Sequence, residues 1–290
     1  MPRGPRIDFP GAVHHVMLRG VARQSIFRDD RDRRRFLSCL ECILVQTGTI
    51  CFAWSLMGNH FHLALQTGCV PLATVMARIN TSYAMYFNLR FGRVGHLFES
   101  RYKNRLVEDE SDLIGLVRYV HGNPLKDRVV ASPRELEQYL WAGHGAVVGT
   151  RHPEPFHAAV QTRALFDGDP ARAIRRVRQL MRDYETNLRG LNDGSAWSGV
   201  ATSPDPISAA CKSLGVTEAA LQGGRRTEDV STARAIIAHL GDRLSLPRDE
   251  VARRMGVSEQ GLRKARIRGR ALAEASTPED VAWDLPSLQK

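Results

Sequence analysis

His60 and His62 stand two apart in "SLMGNHFHLAL", residues 55–65. An extended strand sends residues i and i+2 to one face, about 6–7 Å apart. Two imidazoles so placed can share one divalent ion. The pair alone is half a ligand set, and a histidine on a half-buried strand is often no more than a hydrogen-bonded residue. A third donor and a reactive group are offered by "RYVHGNP", residues 118–124. Tyr119 stands on a helix beside its apolar stripe, and Asn123 lies four residues later, on the same face. A phenol hydroxyl can serve as a nucleophile. An amide oxygen at a helix end can complete the shell of a hard cation. Tyr83, Tyr86 and Tyr102 are rival nucleophiles; Tyr102 ranks next because it sits in the basic stretch "ESRYKNR". There Arg101, Lys103 and Arg105 are suited to a nucleic-acid backbone. His14 and His15 read as ordinary strand residues.

These side chains need elements to hold them. "AVHHVML", residues 12–18, reads as a first strand. Residues 31–47 carry Phe36, Leu37, Leu40, Ile43 and Leu44 at helical spacing. Residues 49–57 and 60–66 are rich in strand formers and broken by Gly58-Asn59, a tight-turn signal. Residues 71–91, with Leu72, Val75, Met76, Ile79, Tyr83 and Tyr86, read as a helix, and "FGRVGHLFESRYKNRLVED", residues 91–109, as a loop and strand. The next helix is expected to start at an Ser111 N-cap, with Asp112 in its first turn. Leu113, Leu116, Val117 and Val120 give it a buried stripe, and Gly122 and Pro124 are expected to stop it. The order β-α-β-β-α-β-α suits an α+β fold, an antiparallel sheet covered by helices.

Composition narrows the function. The chain has 290 residues and 43% hydrophobic residues, enough for two domains and a sizeable core. No run of about 18 apolar residues suggests a membrane span. The start, "MPRGPRIDFPG", has no apolar core of a secretory signal, so a cytoplasmic protein is expected. Five scattered cysteines make no disulfide framework. Cys39 and Cys42 form a CxxC with no partner pair at zinc spacing and read as buried helix thiols. The net charge of +10 favours an anionic partner, most economically nucleic acid.

The stretches "VHHVMLRG", "SIFRDD", "SLMGNHFHLAL", "YAMYFNLRFGRVGHLFESRYKN" and "RYVHGNP", in this order, resemble the HUH single-strand nucleases with one tyrosine. More closely they are similar to the REP-associated tyrosine transposases, over roughly residues 5–150. The resemblance implies a ferredoxin- or RRM-like HUH domain. It makes His60 and His62 metal ligands, Tyr119 the nucleophile, Asn123 the third ligand, and Mg²⁺ or Mn²⁺ the cofactor. Insertion-sequence members often carry glutamine four residues after the tyrosine; asparagine followed by proline points to the REP-associated branch. Relatives often have asparagine after the Arg-Gly pair, where this chain reads "RGVARQ".

Residues 151–188 read as a helical extension and 189–206, "RGLNDGSAWSGVATSPDP", as a linker. From 207 to 272 the pattern is wholly helical, and 273–290 is a tail. "LPRDEVARRMGVSEQGLRKARIRGR" fits a helix-turn-helix. Gly256 makes the turn, and Ser258 caps a second helix exposing Gln260, Arg263, Lys264, Arg266 and Arg268. Residues 206–272 hold 13 Lys and Arg against 7 Asp and Glu, a net of +6. A solvated helix face also explains such charge, but the Gly-Val-Ser turn favours DNA. The segment resembles the C-terminal DNA-binding domain of the replication initiator DnaA.

The sequence therefore predicts an α+β domain over residues 1–150 followed by an all-α helix-turn-helix domain. The expected activity is that of a transposase, cutting and rejoining single-stranded hairpin DNA through a 5′-phosphotyrosine. The second domain would hold flanking duplex, in a monomer or homodimer. The alternatives are a non-catalytic DNA-binding regulator on the same fold and an HUH replication nickase.

Overall fold

A computed structural model of the protein describes residues 8–190, 205–223, 227–243 and 246–274. Four strands, β1 (Val13–Arg19), β2 (Ile50–Leu56), β3 (His60–Gln66) and β4 (Lys103–Leu106), form one sheet. Their order is β2-β3-β1-β4 and every neighbouring pair is antiparallel. β1 and β2 thus run the same way with β3 between them, the split βαβ arrangement of ferredoxin-like folds. The helices α1 (Asp30–Thr47), α2 (Leu72–Phe91) and α3 (Glu110–Lys126) complete this unit.

Alternation along the strands divides the work between the two faces. Val16, Leu18, Phe61, Leu63 and Leu56 point to one face and pack against Phe36 and Leu40 of α1 and Ile79, Tyr83 and Phe87 of α2. The other face carries Val13, Ala53 and Ala64 under Leu113, Leu116, Val117 and Val120 of α3. The apolar stripes read from the sequence are these contacts. Asp29 caps α1 by accepting the Asp32 N–H, and Gly48, at φ 60°, ends it.

Two expectations for α3 are corrected. Its N-cap is Asp109, which accepts the Asp112 N–H at 2.9 Å, not Ser111, which lies in the first turn. The Asp112 carboxylate in turn accepts the Glu108 N–H at 3.1 Å, so two carboxylates satisfy two donors where a single hydroxyl would serve one. The helix also does not stop at Gly122 or Pro124 but runs to Lys126. Proline costs little so near a C-terminus, where few hydrogen bonds remain to be broken. Asn123 Nδ2 donates to the Tyr119 carbonyl at 2.7 Å and braces the turn before the proline. Gly122 is a packing residue: a Cβ there would lie 2.4 Å from the Tyr184 ring.

Beyond α3 come α4 (Pro133–Gln138), α5 (His144–Val147), α6 (Ala159–Ala164) and α7 (Pro170–Gly190). Tyr184 of α7 sits against α3. The expected linker falls largely outside the described residues, and so does nearly all of the tail. The C-terminal part is all helix: α8 (Pro206–Ser213), α9 (Glu218–Gln222), α10 (Glu228–Arg243), α11 (Arg248–Met255) and α12 (Glu259–Glu274). Its core of Ile207, Leu221, Ile237, Val251, Met255 and Leu262 also takes in Phe9, Ala12 and Leu106. The C-terminal helices therefore rest on the end of the sheet where β1 begins and β4 finishes. None of the described helices is long and apolar enough to cross a membrane.

Candidate active site

The site lies at the opposite end of the sheet, where β3 begins. The register pairs Arg19 with His60 and Met17 with His62. His60 and His62 share the α3 face, and their rings stand 5.1 Å apart between centroids. Tyr119 projects from α3 over this face, its ring 5.4 Å from that of His62 and nearly perpendicular to it. The three residues read from two distant motifs are thus brought together. Tyr83 and Tyr102 belong to the core on the other face, and Tyr86 packs against that core. Tyr83 donates its hydroxyl to the Ile26 carbonyl. The rivals of Tyr119 stand behind the sheet.

His15 is the site residue that sequence reasoning missed. It lies on the same face as His62, and its Nε2 shares a 2.9 Å hydrogen bond with His62 Nδ1. The two rings stack at 5.1 Å, and Tyr119 meets His15 edge-on at 5.4 Å. The strand register brings it there: odd positions of β1 share a face with even positions of β3, so His15 is a diagonal neighbour of His62. His14 points the other way, fully buried, with Nε2 3.5 Å from Asp8. Asn59 was also missed. Its Oδ1 lies 2.6 Å from His60 Nδ1, and its Nδ2 donates to the Arg23 carbonyl at 3.1 Å. Ala22 and Arg23 hold φ of 50° and 56° in the turn after β1. This left-handed pair is a strained arrangement for residues with side chains, and Asn59 braces it.

Burial keeps the imidazoles uncharged. It is the first cause pushing His62 well below 6.5, with His15 and His60 adding to it. His15 falls to about 3 through burial and then Arg105. His60 is lowered by burial, against the pull of Asp127, whose carboxylate is 3.5 Å from its Nε2. Burial and then Asp127 raise the Tyr119 phenol above 10, while Asn123 and Arg19 oppose them. The Lys126 ammonium lies 5.4 Å from the Tyr119 ring centroid.

Uncharged imidazoles are what a divalent cation requires. A hydrogen bond on each Nδ1 is the usual way a protein fixes the ring that presents Nε2. In this respect the residues fit a metal. Among the described residues no three His, Cys, Asp or Glu side chains are grouped to hold one. Asn123 is buried, with its amide nitrogen engaged by the Tyr119 carbonyl.

The basic residues are distributed as follows. Lys103 and Arg101 are exposed, and Lys103 faces the site beside Met17. Arg105 is paired with Asp112. On α12, Gln260, Arg263 and Lys264 are exposed. Arg266 does not project freely, as the helical spacing suggested: it is half-buried and paired with Asp242 of α10. Arg268 donates to Ser231. Both face α10, whose Ala235 backbone lies against Gly269. Gly256, at φ 61°, makes the turn between α11 and α12, and Ser258 Oγ accepts the Gly261 N–H.

Residues 10–123 match the family model described as "Transposase IS200 like". That stretch holds His15, His60, His62, Tyr119 and Asn123. One solved structure that matches is described as a REP-associated tyrosine transposase bound to a REP hairpin. It is 15% identical, the match covers 55% of this chain and 92% of that one, and the TM-score is 0.41. No curated protein matches the chain.

Proposed function

We propose that the protein is a DNA transposase that cuts and rejoins single-stranded DNA at a hairpin through a 5′-phosphotyrosine on Tyr119. The observation that carries this reading is the meeting of Tyr119 with His62 and His15 on one sheet face, at 5.4 Å from each ring. It lies inside the stretch that matches IS200-like transposases.

The phenol attacks the scissile phosphorus in line. The Tyr119 oxygen–phosphorus bond forms, the bond to the 3′ oxygen breaks, and the tyrosine proton ends on the freed 3′-OH. The phosphodiester energy is kept in the adduct, so another 3′-OH can reverse the step without ATP. His60 and His62, with Asn123 as third donor, would hold Mg²⁺ or Mn²⁺, which supplies positive charge against the phosphate oxygens when bound. Arg19, Lys103 and Lys126 lend cations to the same face, and Arg101 extends them along the strand's path. The exposed Arg263 and Lys264 on α12 bind flanking duplex, which keeps the hairpin at high local concentration.

The test is incubation of the full chain with labelled single-stranded hairpin DNA from the flanks of its own gene, with Mn²⁺ present. A protein–DNA adduct that survives a denaturing gel is expected. Tyr119→Phe should abolish it and leave hairpin affinity within about twofold, since one hydroxyl is lost and little surface changes. An adduct that persists in Tyr119→Phe would reassign the nucleophile. Hairpin binding with no adduct in the unaltered protein would favour a regulator that keeps only the fold.

A further inference from the structure

We infer that Ile267 of α12 reads sequence: its side chain packs on the 5-methyl group of a thymine in the major groove of flanking duplex DNA. The inference rests on the proposed grip of α12 on duplex, and it names the base which that grip selects.

Its basis is a large apolar side chain left in water among cations. Ile267 is 65% exposed. Gln260, Arg263 and Lys264 stand seven, four and three residues before it, which puts all four on one face of the helix. The other three are exposed as well, and so is Arg270 just beyond. Cations at these positions suit phosphates. A branched alkyl group gains nothing from a phosphate and is unfavourable in water. What a duplex offers such a group is the thymine methyl, which lies in the major groove, the groove wide enough to admit a helix.

The rest of α12 holds this face outward. Leu262 is buried in the C-terminal core, and a Cβ on Gly269 would collide with the Ala235 carbonyl of α10. Arg266 is paired with Asp242 and Arg268 donates to Ser231, so two further ties bind α12 to α10. Together these contacts fix the rotation of α12 about its axis, and Ile267 stays on the solvent side. The left-handed turn at Gly256 makes α12 the second helix of a helix-turn-helix, the helix that such motifs lay in the major groove. From Gln260 to Ile267 the helix rises about 10 Å, roughly three base pairs at 3.4 Å each. Over that length Gln260 suits an adenine, Arg263 or Lys264 a guanine, and Ile267 the thymine methyl. Beside Ile267 an open cleft between α12 and α10 carries Arg263 and Arg270, cations for the adjoining phosphates.

The experiment begins with selection of bound sequences from a pool of random duplexes, by the full chain and by Ile267→Ala. The unaltered protein should recover a preferred sequence with a fixed thymine. Ile267→Ala should recover the same sequence with that one position relaxed. In the selected duplex, uracil in place of that thymine removes one methyl group and nothing else. It should weaken binding by the unaltered protein about three- to fivefold, the worth of one buried methyl. It should leave Ile267→Ala unaffected, because the partner of the methyl is already gone. Melting temperatures of the two proteins should agree within a degree or so, since the side chain lies outside the core. An equal uracil penalty in both proteins, or a thymine still fixed in the Ile267→Ala selection, would overturn the inference and assign the methyl to another residue. Self-association that disappears in Ile267→Ala on sedimentation would overturn it too, making Ile267 a contact between two copies. Duplex binding without sequence preference overturns the inference and leaves the grip standing. No duplex binding at all overturns both, whereas the hairpin adduct on Tyr119 is tested separately.

Discussion

His121 follows Tyr119 by two residues but serves the interior. It is fully buried, and its ring lies 5.5 Å from that of His144 and 6.4 Å from that of His157. Among the described residues neither of its ring nitrogens has a hydrogen-bond partner. Burial holds all three uncharged: His144 and His157 fall to about 4, and His121 well below 6.5. In the unfolded chain a histidine takes up its proton near pH 6.5. Between that pH and about 4 the unfolded chain binds more protons than the folded one, so stability falls as the medium is acidified. His15, His60 and His62 add to the loss with the same sign. Melting temperature should be level above about pH 7 and drop steadily from pH 6.5 to 4.5. His121→Phe, similar in size, should flatten the drop without removing it. A melting temperature that does not change across that range would mean these rings are hydrated in the folded protein. His60 and His62 could be placed on one face because a strand repeats every two residues, and Tyr119 beside a helical stripe; the roles expected of them came from the family resemblance. His15 and Asn59 could not be read with the same ease. Their roles depend on which strand lies beside which, and pairing is a property of the sheet and not of any one segment.

α3 shows how packing overrides local signals. Glycine is poor inside a helix by about 1 kcal/mol against alanine, and Gly122 followed by Pro124 reads as a stop. The helix nevertheless passes through both, because Gly122 lets the Tyr184 ring lie where a Cβ would be. Gly122→Ala sets two effects against each other. Better helix propensity contributes about 1 kcal/mol, while overpacking a well-filled contact costs about 1–3 kcal/mol. The Tyr184 ring is buried, so a net loss of up to about 2 kcal/mol is expected, read as a lower melting temperature. Pairing it with Tyr184→Leu should recover part of the loss, since the two sites touch. Simple additivity of the two changes would mean the ring is not what forbids the alanine. The apolar stripes of α1, α2 and α3 were legible because burial selects them directly. The ends of α3 were less so. Asp109 caps the helix by accepting the Asp112 N–H while Asp112 accepts the Glu108 N–H, and the ring that packs on Gly122 lies 62 positions along the chain, at Tyr184.

At the scale of the molecule, charge has two uses. Of the cations on α12, Arg266 and Arg268 tie that helix to α10, whereas Arg263 and Lys264 are exposed. Each phosphate contact adds about 0.9 to the slope of log affinity against log salt. Replacing Arg263 and Lys264 with alanine should therefore lower the duplex slope by roughly 1–2 while leaving the melting temperature within a degree or so. Arg266→Ala should do the reverse, destabilising the helix pair more than it alters the slope. Equal slopes for the unaltered and doubly substituted proteins, measured across a salt series, would show that DNA meets another surface. The sequence separated a mixed α/β half from a helical half by their periodicity. It did not reveal that Phe9, Ala12 and Leu106 of the first half complete the core of the second, because those three residues are scattered among strand-like neighbours.

That shared core sets the C-terminal helices at the start of β1, while His60 and Arg19 meet at its finish. The strand between them has seven residues, about 20 Å at 3.4 Å each. On the proposed function that strand acts as a ruler. If Arg263 and Lys264 grip duplex and Tyr119 cuts the single strand, the two must be separated by at least about six base pairs, and recognition becomes a matter of length as well as of letters. Five base pairs inserted between the hairpin and its flank would turn the gripped face half a revolution away, and about ten would bring it round again. Adduct yield should fall with the first insertion and partly return with the second. A yield that ignores both would mean that the two ends of the protein handle their DNA independently.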